Sequence, residues 1–133
     1  MAEDNFKEGL QDFLVICHQK QTRQLRRYSL KALQLAVEGT PVLTGCCRAN
    51  WIVSNGELKK DFQPGKLDIA GGPTITASMG ALESAKIGVP VFIENSCPYV
   101  LKLENGWSKQ GAPGCMIRTP LQKLKQAIAT GAK

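Results

Sequence analysis

The feature that most constrains this chain is one long helical pattern near its start, over residues 4–38. Apolar residues recur there at steps of three and four in two successive series: Phe6, Leu10, Phe13 and Cys17, then Leu25, Tyr28, Ala32 and Leu35. Asp4 is a suitable N-cap, and Gly39 with Pro41 marks the end. The polar residues 18–24 allow two readings, a break between two helices or the solvated middle of one. We favour one helix of roughly 50 Å, with this stretch as the place for any bend.

Size and composition indicate a single folded domain over residues 1–133. With 43% hydrophobic and 21% charged residues, the chain can bury a core of useful size. Its five cysteines are an odd number, no C-x-x-C motif occurs, and no signal-peptide pattern begins the chain. We therefore expect reduced thiols in a protein made in a cytoplasm. No apolar run is long enough to cross a membrane.

Beyond the long helix, the signals alternate between strand, loop and helix. Strands are predicted over residues 48–54 and 90–95, with Asn55-Gly56 as a turn signal after the first. Loops are predicted over 59–73 and 106–114. Helices are predicted over 74–86, over 98–104 with Pro98 near its start, and over 119–129 with Thr119 as N-cap.

This order predicts an α+β fold, in which a long N-terminal helix and shorter helices pack on a small, mainly antiparallel β-sheet. We divide the one domain into the long helix (4–38), a sheet region with short helices and loops (40–118) and a C-terminal helix (119–130).

An enzymatic hypothesis is available but weak. Its sharpest form pairs Cys17 with the only histidine, His18, and with Asn50 or Asn95. No nucleophile-bearing motif accompanies the pair, so a surface or half-buried helix histidine beside a small apolar cysteine explains both residues better. We predict that the protein is not an enzyme.

Metal and phosphate sites are also poorly supported. Zinc needs about four ligands, which usually arrive in close pairs, and the only close pair here is Cys46-Cys47. Gly65-Lys66 is followed by Leu67 and lacks the glycine five residues earlier that a phosphate-binding loop requires. We predict no metal and no cofactor.

A basic segment within the long helix is the main electrostatic feature. Between residues 20 and 31 no acidic residue occurs, and five basic residues do: Lys20, Arg23, Arg26, Arg27 and Lys31. Such a run can be a solvated or partner-facing surface, or it can contact the phosphates of DNA. Tyr28 is the one aromatic residue nearby that could stack on a base, and it belongs to the apolar stripe.

Two motif groups give the chain a resemblance to a known family. The first is Thr40-Pro41-Val42-Leu43-Thr44-Gly45 after a long helix, followed by Arg48-Ala49-Asn50-Trp51. The second runs from a strand ending in Asn95 through Pro98-Tyr99 and Glu104-Asn105-Gly106-Trp107 to a Pro- and Gly-rich loop and a last helix. In this order the chain resembles the tail-component family of siphophage-type virions, which includes minor tail, tail-completion and head–tail joining proteins.

The resemblance implies a virion structural protein of the phage neck or tail end, made in the host bacterial cytoplasm. It implies a ring, expected to be hexameric, that completes the tail and helps to join it to the head. The implied partners are further copies of the chain, other neck, tail-tube or connector proteins and, transiently, packaged DNA, with no membrane. The long helix and the loop over 56–73 are the candidates for contacts with neighbours. The alternative is a small nucleic-acid-binding module that uses the basic segment.

The motif residues also have physical roles of their own. We expect Thr40, Pro41, Thr44 and Gly45 to fix a turn by hydrogen bonds and restricted backbone angles. Asn95 can cap the chain as it leaves the strand, and Pro98 can begin the short helix.

The remaining motif residues allow two kinds of contact. Tyr99 and Trp107 suit either an interface or packing within one subunit, and both readings stay open. Glu104, two residues before Gly106, can pair with a backbone donor or with a basic residue of a neighbouring copy.

Overall fold

The computed structural model describes residues 2–42, 44–108 and 111–131, and for residues 2–4 the backbone alone. The elements are, in order, α1 (Ala2–Gly39), α2 (Cys46–Ala49), β1 (Trp51–Asn55), α3 (Gly72–Glu83), β2 (Val91–Asn95), α4 (Val100–Glu104) and α5 (Arg118–Thr130). The predicted α+β fold, with a long N-terminal helix and a small antiparallel sheet, is confirmed.

Helix α1 is one continuous helix, as the periodicity predicts, and it begins two residues before the predicted N-cap. Its two halves have different surroundings. The second half packs on both strands, α3 and α5, and buries Leu33, Ala36 and Val37. The first half is exposed along almost its whole length. The helix ends where Arg48 donates hydrogen bonds to the carbonyl oxygens of Glu38 and Thr40.

The sheet has two antiparallel strands, with Trp51 opposite Asn95 and Asn55 opposite Val91. The strands are far apart in sequence because a loop and α3 lie between them, so Asn55-Gly56 does not close a hairpin. Instead, Gly56 N donates a hydrogen bond to Pro90 O at 2.9 Å, and the side chain of Asn55 donates to Ala81 O of α3. The first bond extends the pairing beyond the strands, and the second holds α3 against the end of the sheet.

Several element boundaries differ from their predictions, and α3 runs over Gly72–Glu83 rather than 74–86. A short helix, α2, precedes β1 in place of the first part of the predicted strand, because Asn50 closes a helical turn by donating to the carbonyl oxygen of Cys46. Helix α4 begins at Val100, after a turn that contains Pro98. Helix α5 begins at Arg118, so Thr119 is not its N-cap.

The core lies where the second half of α1, the sheet and α3 meet. Its members are Leu33, Ala36, Val37, Cys47, Trp51, Val53, Leu82, Cys97 and Met116. Aliphatic side chains and thiols fill most of this volume, in a chain with only 6% aromatic residues. No helix among the described residues is both long and apolar enough to cross a membrane.

Candidate functional site

Thr40 is the first residue of the first motif and is almost completely buried, with 1% of its surface exposed. The indole Nε1 of Trp51 donates a hydrogen bond to Thr40 Oγ1 at 2.7 Å, and this hydroxyl donates to Ala36 O at 2.7 Å. Pro41 is buried beside it. The motif therefore joins the end of α1 to the start of the sheet inside one subunit.

Gly45 makes the closest backbone approach of this motif. Its φ angle of +87° favours glycine, and a Cβ atom there would lie 2.7 Å from the backbone of Asp68. Gly45 O accepts a hydrogen bond from Asp68 N at 3.0 Å. Thr44, which is exposed, accepts one from Cys46 N through its hydroxyl. The turn thus holds the loop over 56–71 against α2.

Asp68 is a buried carboxylate at the start of α3 that sequence reasoning missed. It accepts hydrogen bonds from Gly71 N at 2.8 Å and from both the backbone N and the hydroxyl of Thr74. Burial by itself would raise the pKa of Asp68, but the bonds from Thr74, Gly71 and Ala70 outweigh burial and lower it. The helix N-terminus after Gly71-Gly72 is thereby occupied by the protein's own anion. The sequence signal was an acidic residue shortly before Gly-Gly-Pro.

Glu104 accepts hydrogen bonds from backbone N–H groups at the start of α5, as Asp68 does at the start of α3. It is 6% exposed and accepts hydrogen bonds from the backbone N–H groups of Met116, Ile117 and Arg118 at 3.0–3.1 Å. The guanidinium of Arg118 lies 3.7 Å from the same carboxylate. Of the two predicted kinds of partner, the backbone donors are the ones that Glu104 contacts here.

Two asparagines named in the sequence hypotheses form hydrogen bonds with backbone groups through their side chains. Asn95 accepts from Cys97 N and donates to Cys47 O, which joins the end of β2 to α2. Asn50 accepts from Gln63 N and donates to Gln63 O, which holds the middle of the loop. Neither is placed beside Cys17 and His18, which lie in the exposed half of α1.

The hydroxyl of Tyr99 lies beside the buried thiols of Cys97 and Cys46. Burial, followed by the nearby Cys97 thiol, raises the pKa of Cys47 to about 12. Burial also raises the pKa of Tyr99, together with hydrogen bonding to Cys97 and Cys46. The hydroxyl of Tyr99 thus interacts with thiols of its own subunit, while 40% of the residue's surface is exposed. In the described part of the chain, no three His, Cys, Asp or Glu side chains group as metal ligands.

Trp107 is the most exposed large apolar side chain of the motif region, at 74%. The Lys102 ammonium lies 5.2 Å from the centre of its ring, on the same solvent-facing side of α4. Gly106, with a φ angle of +85°, turns the chain between α4 and this tryptophan. Trp107 thus remains accessible to a partner, whereas the hydroxyl of Tyr99 interacts with thiols of its own subunit. Pro98 is exposed in the turn before α4.

The first half of α1 carries an apolar surface that is largely exposed to solvent. We call residues 5–17 the arm. Phe6 is 71% exposed and Phe13 is 61% exposed, although both belong to the predicted stripe. Leu10 and Leu14 lie on the same side and are about half exposed. The predicted apolar stripe is therefore exposed to solvent in this half of the helix.

The basic segment follows the arm, and its members differ in placement. Lys20, Arg23, Arg27 and Lys31 are exposed. Arg26 is half-buried and donates through Nε to Ala85 O at 3.0 Å, which ties α1 to the end of α3. Within residues 2–42, 44–108 and 111–131, the one side-chain ion pair is that of Arg118 with Glu104. The exposed charges of the basic segment are thus not neutralised by a neighbouring carboxylate.

An apolar groove lies between the second half of α1, the sheet and α5. Its volume is about 190 Å³, and it is lined by Ala32, Ala36, Trp51, Ile93, Met116, Ile117, Pro120, Leu121 and Leu124. Ile117 and Leu121 at its rim are each a little less than half exposed. Helix α5 therefore covers the core incompletely, and apolar side chains of the groove remain accessible from outside.

Comparison with known protein families, with curated proteins and with solved structures finds no match for this chain. A functional assignment therefore depends on the motif resemblance and on the surfaces described above: the arm, the basic segment, Trp107 and the groove.

Proposed function

We propose that this protein is a structural component of the neck or tail end of a long-tailed phage virion. In this role it assembles as a ring, expected to be hexameric, that completes the tail and helps to join it to the head. The observation that carries the proposal is the arm: half of the longest helix presents phenylalanine and leucine side chains to solvent. The motif resemblance supplies the identity of the assembly.

The physical argument begins with the stability of the arm. Isolated helices of this length are marginal in water, and most helices gain their stability by burying an apolar face. Large contiguous apolar patches are rare on monomeric proteins and usually mark an interaction site. An arm that exposes Phe6 and Phe13 therefore fits a protein that works by contacts with other subunits.

The arrangement of the motif residues supports the same role. Thr40, Gly45, Asn95 and Glu104 all join backbone segments of one subunit through hydrogen bonds or close approach. Such residues make a rigid body, and none of them is left exposed for chemistry. A ring component needs a rigid body with protruding contact surfaces, since its function is geometric.

Reconstitution of infectious particles tests the proposal. Capsids and tails from a phage that lacks this protein are mixed with the purified protein, and head–tail joining is counted by electron microscopy. Joining is expected with the unmodified protein and is expected to be lost with Phe6→Ser/Phe13→Ser. The matched control is Val89→Ser, which removes a partly exposed apolar side chain away from the arm. Joining that is equally efficient without the protein would contradict the proposal.

A second candidate function, nucleic-acid binding, is favoured by the uncompensated charges of the basic segment. In a ring, this face would line a channel and contact DNA without sequence preference. A protein that acts on DNA alone would instead bind duplex tightly in solution.

Duplex binding at several salt concentrations separates these two roles. If DNA binding is the primary role, affinity falls steeply with salt, and Lys20→Ala/Arg23→Ala/Arg27→Ala lowers it and reduces the slope by about three. The control is Lys59→Ala/Lys60→Ala/Lys66→Ala, because these three lysines are exposed and lie outside α1. For the neck protein we expect weak binding that differs little between the two variants.

A further inference from the structure

The arm cannot use the apolar groove of its own subunit. Ala32 and Ala36, which line the groove, belong to the same continuous helix as the arm. At 1.5 Å per residue, Phe13 and Ala32 are separated by roughly 28 Å along the helix axis. Any arm that fills the groove must therefore come from another molecule.

The groove and the arm match in size and polarity. An apolar cavity of roughly 150 Å³ accepts one benzene molecule, so a groove of about 190 Å³ has room for one aromatic side chain. The arm offers two, Phe6 and Phe13, each flanked by a leucine on the same helix face. Trp51 and Leu121 of the groove would contact such a ring.

The two surfaces are also complementary in charge. Within the arm, two acidic residues, Glu8 and Asp12, stand against the single Lys7. Helix α5, which forms one wall of the groove, carries Arg118, Lys123 and Lys125 and no acidic residue. Opposite charges around an apolar contact favour this pairing, whereas two arms side by side would bring like charges together.

We propose that the arm of one copy docks in the groove between α1, the sheet and α5 of a second copy. This inference rests on the proposed function and names its contact between subunits. Because the arm and the groove are different surfaces, the contact is head-to-tail, and repetition of it closes a ring when the rotation between copies permits.

Isotope-resolved photo-crosslinking tests the contact. Copies with natural isotopes carry a benzophenone amino acid in place of Phe13, and they are mixed with unmodified copies labelled with ¹⁵N. The mixture is irradiated as free protein and after incorporation into particles. We expect peptides in which residue 13 of an unlabelled copy is joined to the labelled segment 117–124. Crosslinks from arm to arm, from the arm to a different virion protein, or none from the arm would overturn the inference.

Charge reversal supplies the specific control. Glu8→Lys/Asp12→Lys and Lys123→Glu/Lys125→Glu are each expected to lower the yield of this crosslink by about tenfold. The four substitutions together are expected to restore it, because the attraction is rebuilt with the signs exchanged. Glu57→Lys/Lys59→Glu, in the exposed loop, is expected to change nothing. Failure of the combined variant to recover would contradict docking on α5.

Light scattering and particle incorporation, measured on the same samples, separate the two proposals. Protein that assembles or enters particles while the arm crosslinks elsewhere leaves the proposed function standing and removes the arm-to-groove contact. Protein that stays monomeric and enters no particle removes both.

Discussion

Asp68 and Glu104 share one arrangement at the scale of single residues. Each is a buried carboxylate that reaches the start of a helix from another segment and accepts backbone N–H groups that the helix itself cannot satisfy. Each also holds a loop: Asp68 the segment beside Gly45, and Glu104 the connection from α4 to α5. Replacing either carboxylate should therefore lower the free energy of unfolding by more than replacing an exposed acidic residue does.

For Asp68→Asn we expect a loss of about 1–3 kcal/mol in the free energy of unfolding at pH 7, because a charged acceptor of several hydrogen bonds is removed. The pKa of Asp68 is lowered in the folded state, whereas an unfolded Asp titrates at about 3.9. The unfolded chain thus binds the proton more readily. The stabilisation is complete above the unfolded pKa and is lost as the pH falls through the lower, folded pKa.

Denaturant titrations of the unmodified protein and of Asp68→Asn between pH 7 and pH 3 check this prediction. The difference between their free energies of unfolding should become smaller toward acid pH. Asp61→Asn is the matched control, since Asp61 is exposed and bonds only to the side chain of Gln63. A difference that is independent of pH would show that the charge of Asp68 contributes nothing.

Thiol reactivity gives a second prediction at this scale. With its pKa raised to about 12 by burial and by Cys97, Cys47 is almost entirely a neutral thiol at pH 8. An alkylating reagent should therefore modify the half-buried Cys17 in native protein long before it modifies Cys47. Mass spectrometry of digested samples measures both sites, and denatured protein, in which all five cysteines should react, is the control. Rapid native labelling of Cys47 would contradict the burial that the structure gives it.

At the scale of elements, α1 combines a packed half with an unpacked half. In dilute, monomeric protein, Phe6→Ala and Phe13→Ala should change the free energy of unfolding by less than about 0.5 kcal/mol, as at other exposed sites. Leu33→Ala, in the buried half, should cost about 2–5 kcal/mol.

Hydrogen exchange measures the same contrast without substitution. Amides of the arm should exchange quickly and those of residues 29–37 slowly, because few contacts oppose local opening of the arm. Equal protection along α1 in monomeric protein would contradict an unsupported arm.

The elements that the sequence predicted well are those with local signals. The steps of Phe6, Leu10 and Phe13 predicted a helix correctly, but periodicity does not distinguish a face that packs within the subunit from one that awaits a partner. Helix α2 was missed because it depends on Gly45 approaching Asp68 and on Asn50 closing the turn. The start of α5 was misplaced because its cap, Glu104, comes from a distant segment. Contacts between such separated residues have no local sequence signature.

At the scale of the whole molecule, the contact surfaces are arranged around a rigid centre. Thr40 and Trp51 lie in that centre, the arm and the basic segment extend from it along α1, and Trp107 projects from α4. The motif order predicts a virion component, whereas the exposed arm and the groove are visible only in three dimensions. Their complementarity is what makes assembly the central claim.

The mass of the purified protein, measured by light scattering over a range of concentrations, alone and with isolated tails, tests that claim most directly. The chain has a mass of 14.4 kDa. We expect a discrete species at a multiple of this mass, six-fold for the expected ring, or a monomer that becomes stably bound to tails. A particle of 14.4 kDa at every concentration, with no affinity for tails, would contradict the account.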